Sequence, residues 1–582
     1  MDEKKRIKIR VACLCFLIIL LGLIFIWAVI NRIFFTSGSL NLFNTKSDIA
    51  VRGDIFSDDD YTLATSQELY KVSLNPRFID PNKKEFFIRL FSIYSGIPVQ
   101  EIAQKLNRSG NVTLSYSIIP SVAQSLKRLN SKLLSYDVFR EYEDENGQFH
   151  QKAGLSVEAS GISRLYYYKD ALEPVLGYVQ KREKGALTTP TGIKGIERYK
   201  NKSLEPKYDG IIRGKRDIGF NVIYDKNVFV QTRQNGNDIY LSINLRLQKK
   251  IEKILDDFNQ QYGAKEIVAG VMNPRDGSIL VLATTNRFDP KNITSNEFLD
   301  ASVSEKSFEP GSTIKPIVFS LLLEKKLINP LEPINLNKGE YKLEKFTIRD
   351  DTYPKPNSVV QDVLIRSSNV GMVKLSKKLS GQEFFDGLRS FGFSESTGIE
   401  LPYEKIGVIP NAQKLSREIY KATASYGYGL SATFIQLLRA YGVFCNDGVL
   451  VMPHLIKKEV TSDGEEVLVE RKARRTISAL TARKIQEILI KTVEEGTGRR
   501  ARVEGLIVGG KTGTARIVKK TGGYDNLYNG SFFGFAKSEK QTYIIGVVAF
   551  GSHGKEDYYG SQTAAPVFKK IVEAMQSQDF FK

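Results

Sequence analysis

The 582-residue chain has three cysteines and three histidines, and each scarcity closes off a class of chemistry. Cys13 and Cys15 lie inside an apolar run and Cys445 stands alone, so no intrachain disulfide framework is available. His150, His454 and His553 are scattered, so no metal-ligand cluster is expected and no histidine stands out as a base for a serine nucleophile. No tract dense in Arg and Lys interleaved with aromatics occurs. The net charge of +19 is therefore read as solubility rather than as a nucleic-acid surface. No internal repeat is evident. Hydrophobic content of 42% is ordinary for a folded protein, and the length exceeds one compact domain.

Charge is also missing from Val11 to Ile30, a stretch of the length that spans a bilayer as a helix. Lys4, Lys5, Arg6, Lys8 and Arg10 precede it, which by the positive-inside rule leaves the N-terminus in the cytoplasm and the rest outside. A cleaved signal peptide would have a shorter apolar core ending in a small-x-small site. Here the run continues through Trp27, with Ile33, Phe34 and Phe35 beyond, so an uncleaved anchor at 11–30 behind a cytoplasmic tail of 1–10 is expected.

Residues 36–235 are mixed and polar, with no long periodic helix expected. Arg52-Gly53-Asp54-Ile55, Leu176-Gly177-Tyr178-Val179 and Gly192-Ile193-Lys194-Gly195-Ile196-Glu197 read as turn-and-strand signals, each glycine a tight turn. From Gly236 the character changes. Ile239–Ile243 reads as a strand and Leu245–Phe258 as an amphipathic helix with Leu247, Ile251 and Leu255 on one face. Ile267–Val271 and Ile279–Leu282 flank the turn Asn273-Pro274-Arg275-Asp276-Gly277, which predicts a hairpin. Gly505–Ile517 and Tyr543–Phe550 are strand-like, and Pro566–Met575 is a closing helix. The class is α+β: an antiparallel sheet flanked by helices in 236–582, preceded by an elongated mixed domain in 36–235 and one N-terminal transmembrane helix.

The chemistry sits in three short segments. After the breaker Glu309-Pro310-Gly311, Ser312 begins a helix, and Lys315, three residues on, shares its face. A serine needs a base to become a nucleophile, and a lysine held neutral by its surroundings serves where histidine is lacking. Ser367-Ser368-Asn369 brings a second hydroxyl for proton relay and an amide for a substrate carbonyl or the Lys315 amine; a helix cap is its plainer reading. Lys511-Thr512-Gly513-Thr514, on an edge strand, offers an ammonium, hydroxyls and open backbone to an extended peptide ending in a carboxylate. Gly513 removes a side chain that would block approach, and the Thr514 N–H joins that of Ser312 as an oxyanion donor.

The order Ser-x-x-Lys, Ser-x-Asn, Lys-Thr-Gly marks penicillin-binding proteins and the related serine β-lactamases. From about Gly236 to Phe568 the chain resembles the transpeptidase domain of class B penicillin-binding proteins. Thr397-Gly398-Ile399, Ser425-Tyr426-Gly427-Tyr428-Gly429-Leu430, Gly496-Thr497-Gly498 and Phe532-Phe533-Gly534 support this. Arg52-Gly53 and Gly192–Glu197 look like that family's non-catalytic pedestal, although Ser57-Asp58 replaces the usual Asp-Arg. The resemblance implies that Ser312 attacks the penultimate carbonyl of a D-alanyl-D-alanine stem peptide, releasing D-alanine. An amine of a neighbouring stem then resolves the acyl-enzyme. It implies Lys315 as base; Ser367, Asn369 and Lys511 in proton transfer; Thr512 and Thr514 on the terminal carboxylate; β-lactams as acylating mimics; and no cofactor or metal. The segment Ser425–Leu430 and the short tail favour the septal, cell-division type over the elongation type, with a polytopic membrane glycosyltransferase and division proteins as partners at the inner membrane. A tail of ten residues leaves no room for a glycosyltransferase or signalling module, which argues against a bifunctional enzyme and a β-lactam sensor. A carboxypeptidase, a β-lactamase and a non-catalytic scaffold are the other rivals. Glu404 lies beyond Asn369 where a deacylating glutamate is sought, but within this pattern it is expected to hold a loop through backbone hydrogen bonds.

Overall fold

The computed structural model describes residues 3–34, 43–144, 147–184, 187–217, 222–290, 300–467, 469, 471–519, 523–553 and 559–582. Phe35 and the first residues of the expected pedestal lie outside this set. Residues up to 50 together with 206–235 form one compact unit; 51–205 with 236–582 form the other.

In the first unit the apolar run lies in a helix, Glu3–Phe34. Its segment Lys8–Arg32, 25 residues, is long and apolar enough to cross a membrane. A three-stranded antiparallel sheet follows, Phe43–Asp48, Gly210–Lys215 and Phe229–Gln231 in that order.

The second unit is built on two large sheets among the described residues, with four two-stranded ones beside them. The five-stranded sheet runs Ile279–Thr284, Glu266–Met272, Thr542–His553, Tyr524–Lys537, Ile507–Val518, antiparallel throughout, so Ile507–Val518 is an edge. The expected hairpin is present, with Gly277 at φ 85° closing it. Side-chain alternation splits the core in two. Ile267, Ala269, Val271, Ile545 and Val547 face the helices Leu245–Tyr262 and Ala564–Ser577. Val268, Met272, Phe533, Phe535, Ile544 and Val548 face the buried helices Lys315–Glu324 and Phe434–Gly442. A close approach sets the second layer: a Cβ on Gly270 would lie 2.9 Å from the Phe434 ring.

The larger sheet has nine strands among the described residues and joins segments from both sides of residue 236. Asp238–Leu241 pairs in parallel with Ile55–Phe56 and antiparallel with Ile456–Val460, and the sheet continues through Thr62–Leu74 and Ser156–Tyr166. At its far end a separate small core corrects the expectation of no long helix before 235. Pro120–Ser135 is a 16-residue helix burying Ala123, Leu126, Leu129 and Leu133 beside Lys84–Ser95. Its four-residue stripe is diluted by Ser, Lys and Asn on the other faces, which hides the period in the sequence.

The glycine motifs also divide. Gly177 and Gly195 have positive φ and also approach each other's segments closely, a Cβ on Gly177 lying 1.9 Å from the Lys194 carbonyl oxygen. Gly53 and Gly192 are not turns: a Cβ would meet the Asn237 carbonyl oxygen at 2.0 Å and the Glu197 carbonyl oxygen at 1.8 Å. They let Arg52 reach Glu197, with Arg52 Nε donating to Glu197 Oε2 at 2.8 Å and Arg164 Nε donating to Oε1 at 2.6 Å. All three side chains are buried. Burial opposes ionisation of Glu197, but the two guanidiniums outweigh it and hold the carboxyl below its ordinary range.

Candidate active site

Pro310 and Gly311 stop the preceding strand, and Gly311–Ile314 turns as a 3-10 segment before the α-helix Lys315–Glu324. Three residues per 3-10 turn place Lys315 over Ser312. Ser312 is half-buried and Lys315 fully buried. The turn is pinned from several sides. Tyr441 donates to the Thr313 carbonyl at 2.8 Å, Thr313 to the Pro310 carbonyl at 2.8 Å, and Gly311 N–H to the Gly427 carbonyl at 3.2 Å. Glu309 accepts from the Gly429 N–H at 2.8 Å and bonds the Tyr524 hydroxyl, tying the Tyr426–Gly429 segment to the turn.

The second motif follows the short helix Asp362–Ile365. Ser368 is the cap of Asn369–Ser376, accepting from the Gly371 N–H at 2.8 Å. Asp350 fixes this cap, accepting from the Ser368 hydroxyl at 2.7 Å and the Val370 N–H at 2.9 Å. With Ser368 doing the capping, Ser367 (φ 61°) and Asn369 are free to converge on Lys315.

Lys315 Nζ donates to Ser367 O at 2.7 Å, Asn369 Oδ1 at 2.7 Å and Ser367 Oγ at 3.2 Å. Ser367 Oγ bonds Ser312 Oγ at 3.1 Å and accepts from Lys511 Nζ at 2.8 Å. One hydroxyl therefore touches the serine and both amines, and it is Ser367 rather than Lys315 that bonds the Ser312 hydroxyl. Asn369 engages the Lys315 amine, and its Nδ2 donates to the Arg349 carbonyl at 3.0 Å. Burial pushes the Lys315 ammonium down to about 7, opposed by the charges of Asp350 and Asp351. Burial, with Lys315 nearby, pushes Lys511 well below the lysine range. A buried amine poised near neutrality beside a hydroxyl network is the requirement for a serine nucleophile without histidine.

The third motif lies on the edge strand Ile507–Val518. Two matches between known proteins and this chain bear on the whole assembly. A family model for the penicillin binding protein transpeptidase domain matches residues 267–573. A second, for the penicillin-binding protein dimerisation domain, matches 47–241. The chain belongs to the penicillin-binding protein family, class B. A probable peptidoglycan D,D-transpeptidase PenA of Neisseria gonorrhoeae is 28% identical over 544 residues, 92% of this chain and 86% of that protein. The peptidoglycan D,D-transpeptidase FtsI of Buchnera aphidicola is 26% identical over 591 residues, 98% of this chain and 94% of that one. Penicillin binding protein 2X of Streptococcus thermophilus shares the fold at TM-score 0.74 and 20% identity, over 92% of this chain and 80% of that one.

In this penicillin-binding protein the Lys-Thr-Gly strand packs directly on the turn that carries Ser312. The room expected beside Gly513 is not open cleft. A Cβ there would lie 2.5 Å from Ser531 Oγ, 2.8 Å from Thr313 Cγ2 and 3.0 Å from the Pro310 carbonyl, so the glycine brings the strand against Pro310–Thr313. Lys511 also donates to the Thr512 carbonyl at 3.0 Å. The Thr512 hydroxyl bonds Thr497 Oγ1 at 3.0 Å, and Thr514 Oγ1 accepts from the Gly560 N–H at 3.1 Å. Thr497 and Asp350 are not among the candidate site residues read from the sequence. The Gly-Thr-Gly segment was a signal for the first, whereas nothing local marks the second. Glu404 accepts from the Thr397 N–H at 2.9 Å and from the Ser396 and Thr397 hydroxyls, which engages it in a loop, as expected. A cavity of about 990 Å³ lined by Tyr199, Arg439 and Arg471 includes none of the three motifs.

Proposed function

We propose that this protein is the active-serine D,D-transpeptidase of its class, cross-linking peptidoglycan stem peptides through an acyl-enzyme on Ser312. The observation that carries the roles is the Ser367 hydroxyl, bonded at once to Ser312, Lys315 and Lys511. The buried Lys315 amine, as free base, takes the Ser312 proton as Oγ adds to the penultimate carbonyl of a D-alanyl-D-alanine terminus. Ser367, with Asn369 and Lys511 ordering the network, passes a proton to the departing D-alanine nitrogen. The Ser312 and Thr514 N–H groups stabilise the oxyanion, and Thr512, Gly513 and Thr514 seat the terminal carboxylate along the strand edge. An amine of a second stem then attacks the Ser312 ester, releasing the serine. β-Lactams bind along the same strand edge and acylate the same oxygen.

The FtsI-named relative and the Ser425–Leu430 segment support a septal role in cell division, with a polytopic membrane glycosyltransferase and division proteins as partners. We place the domain limits at 1–10, 11–30, 36–235 and 236–582, the tail cytoplasmic, the anchor in the inner membrane and the catalytic domain periplasmic. The deciding experiment is labelling of membranes with fluorescent penicillin. One adduct on Ser312, lost in Ser312→Ala with unchanged thermal unfolding, is expected. An adduct on another residue refutes the assignment.

A further inference from the structure

The hairpin of Glu340–Leu343 with Phe346–Arg349 ends where its last carbonyl holds the Asn369 amide. Between this hairpin and the helix Glu418–Ser425 lies a cavity of about 330 Å³. Its walls include Phe346, Ile348, Ile419 and Tyr426, and it reaches Asn369. Asn369 also accepts from Lys315 at 2.7 Å, so a chain seated in the cavity emerges beside the nucleophile network.

Arg349 is the one charged residue among those lining the cavity. Its side chain is 72% exposed and its Nε meets Glu340 at 3.5 Å, a weak surface pair that leaves the guanidinium able to take another anion. The Thr423 hydroxyl is already committed to the Ile419 and Tyr420 carbonyls. The Tyr426 phenol is kept neutral by burial and remains a hydrogen-bond donor. Apolar walls with a cation and a phenol suit an alkyl chain that ends in a carboxylate. A chain ending in an ammonium meets like charge at Arg349, and a neutral amide forgoes the charge-assisted bond.

We propose that this cavity takes a long side chain of the stem peptide that acylates Ser312, and that Arg349 selects a side chain ending in a carboxylate. The inference rests on the transpeptidase reading above and adds a specificity site to it.

The test uses the full-length protein in detergent and two synthetic stem-peptide thioesters. They differ in one side chain, which ends in a carboxylate in one and a carboxamide in the other. Ser312 displaces the thiol from each, and thiol release gives kcat/KM. The wild-type protein is expected to favour the carboxylate by about tenfold, the scale of one charge-assisted contact at an accessible site. The preference should fall to near unity in Arg349→Gln and survive in part in Arg349→Lys. Because the ratio is taken within each variant, a reduced active fraction cancels. A wild-type ratio near unity, or a preference kept in Arg349→Gln, overturns the proposal. Penicillin labelling of wild-type Ser312 separates the two readings. Labelling with a ratio near unity removes the subsite alone, whereas no labelling of Ser312 removes both.

Discussion

Raising the pH from 6 to 8 should speed acylation of Ser312 by penicillin about tenfold. The perturbation acts on Lys315, whose amine is fully buried and bonded to Ser367 and Asn369, with no carboxylate in contact among the described residues. Burial lowers its ammonium to about 7, with Asp350 and Asp351 opposing. Only the free base accepts the serine proton. For a group at that value the free-base fraction is about 0.1 at pH 6, about 0.5 at pH 7 and about 0.9 at pH 8, which sets the tenfold span. Lys511 shares the Ser367 hydroxyl, so the apparent value belongs to the pair of amines. Stopped-flow acylation with a fluorescent penicillin from pH 5.5 to 9, at fixed ionic strength, reads the profile. Two variants fix the assignment. Asp351→Asn removes a charge that favours the ammonium, so its profile should move to lower pH. Lys315→Arg keeps the charge but has no accessible free base, so its rate should fall by about a thousandfold and lose the limb near pH 7. A wild-type rate flat from pH 6 to 8, with Ser312 still acylated, refutes Lys315 as the base. So does near wild-type acylation in Lys315→Arg.

Three further outcomes follow from the same geometry. Ser367→Ala removes the hydroxyl that joins the serine to both amines, so acylation should slow by about a hundredfold or more while the Ser368 cap keeps thermal unfolding nearly unchanged; a loss under threefold contradicts the relay. Glu404→Gln should lower stability by about 1–3 kcal/mol in denaturant titration, through its bonds to Ser396 and Thr397. It should leave the penicilloyl adduct long-lived by mass spectrometry, and adduct loss within seconds that this substitution slows would identify a β-lactamase instead. Glu197→Ala strands two buried guanidiniums and should cost about 3–5 kcal/mol. Because the folded Glu197 carboxyl lies below its unfolded value of about 4.3, its contribution is present above that pH and fades as pH falls through the folded value. Urea midpoints at pH 7 and pH 3 that differ equally in wild type and variant would contradict this.

The sequence alone determined the apolar N-terminal helix, the α+β core and the residues that the candidate site brings together. A membrane span is a matter of length and apolarity. The strands and terminal helices of the five-stranded sheet carry their own period, and each motif is a local spacing that survives without knowledge of what it touches. Ser312 and Lys315 share a face because helical geometry says so.

Tertiary structure decided what lies between the motifs. Ser367 and Lys511 are 144 residues apart, so no local rule says that one hydroxyl serves both lysines. Burial, which brings Lys315 to about 7, is a property of packed helices around it and not of the residues beside it in the chain. Gly53 and Gly192, which read as turns, are close approaches around a buried Arg–Glu–Arg cluster. Gly513 seats the edge strand on the Pro310–Thr313 turn because Ser531 and Thr313 fill the space a Cβ would need. Asp350 clamps the second motif from a loop with no marking pattern. Sequence period reports what each element buries, but only long-range packing sets which elements meet and how far water is kept from the charges between them.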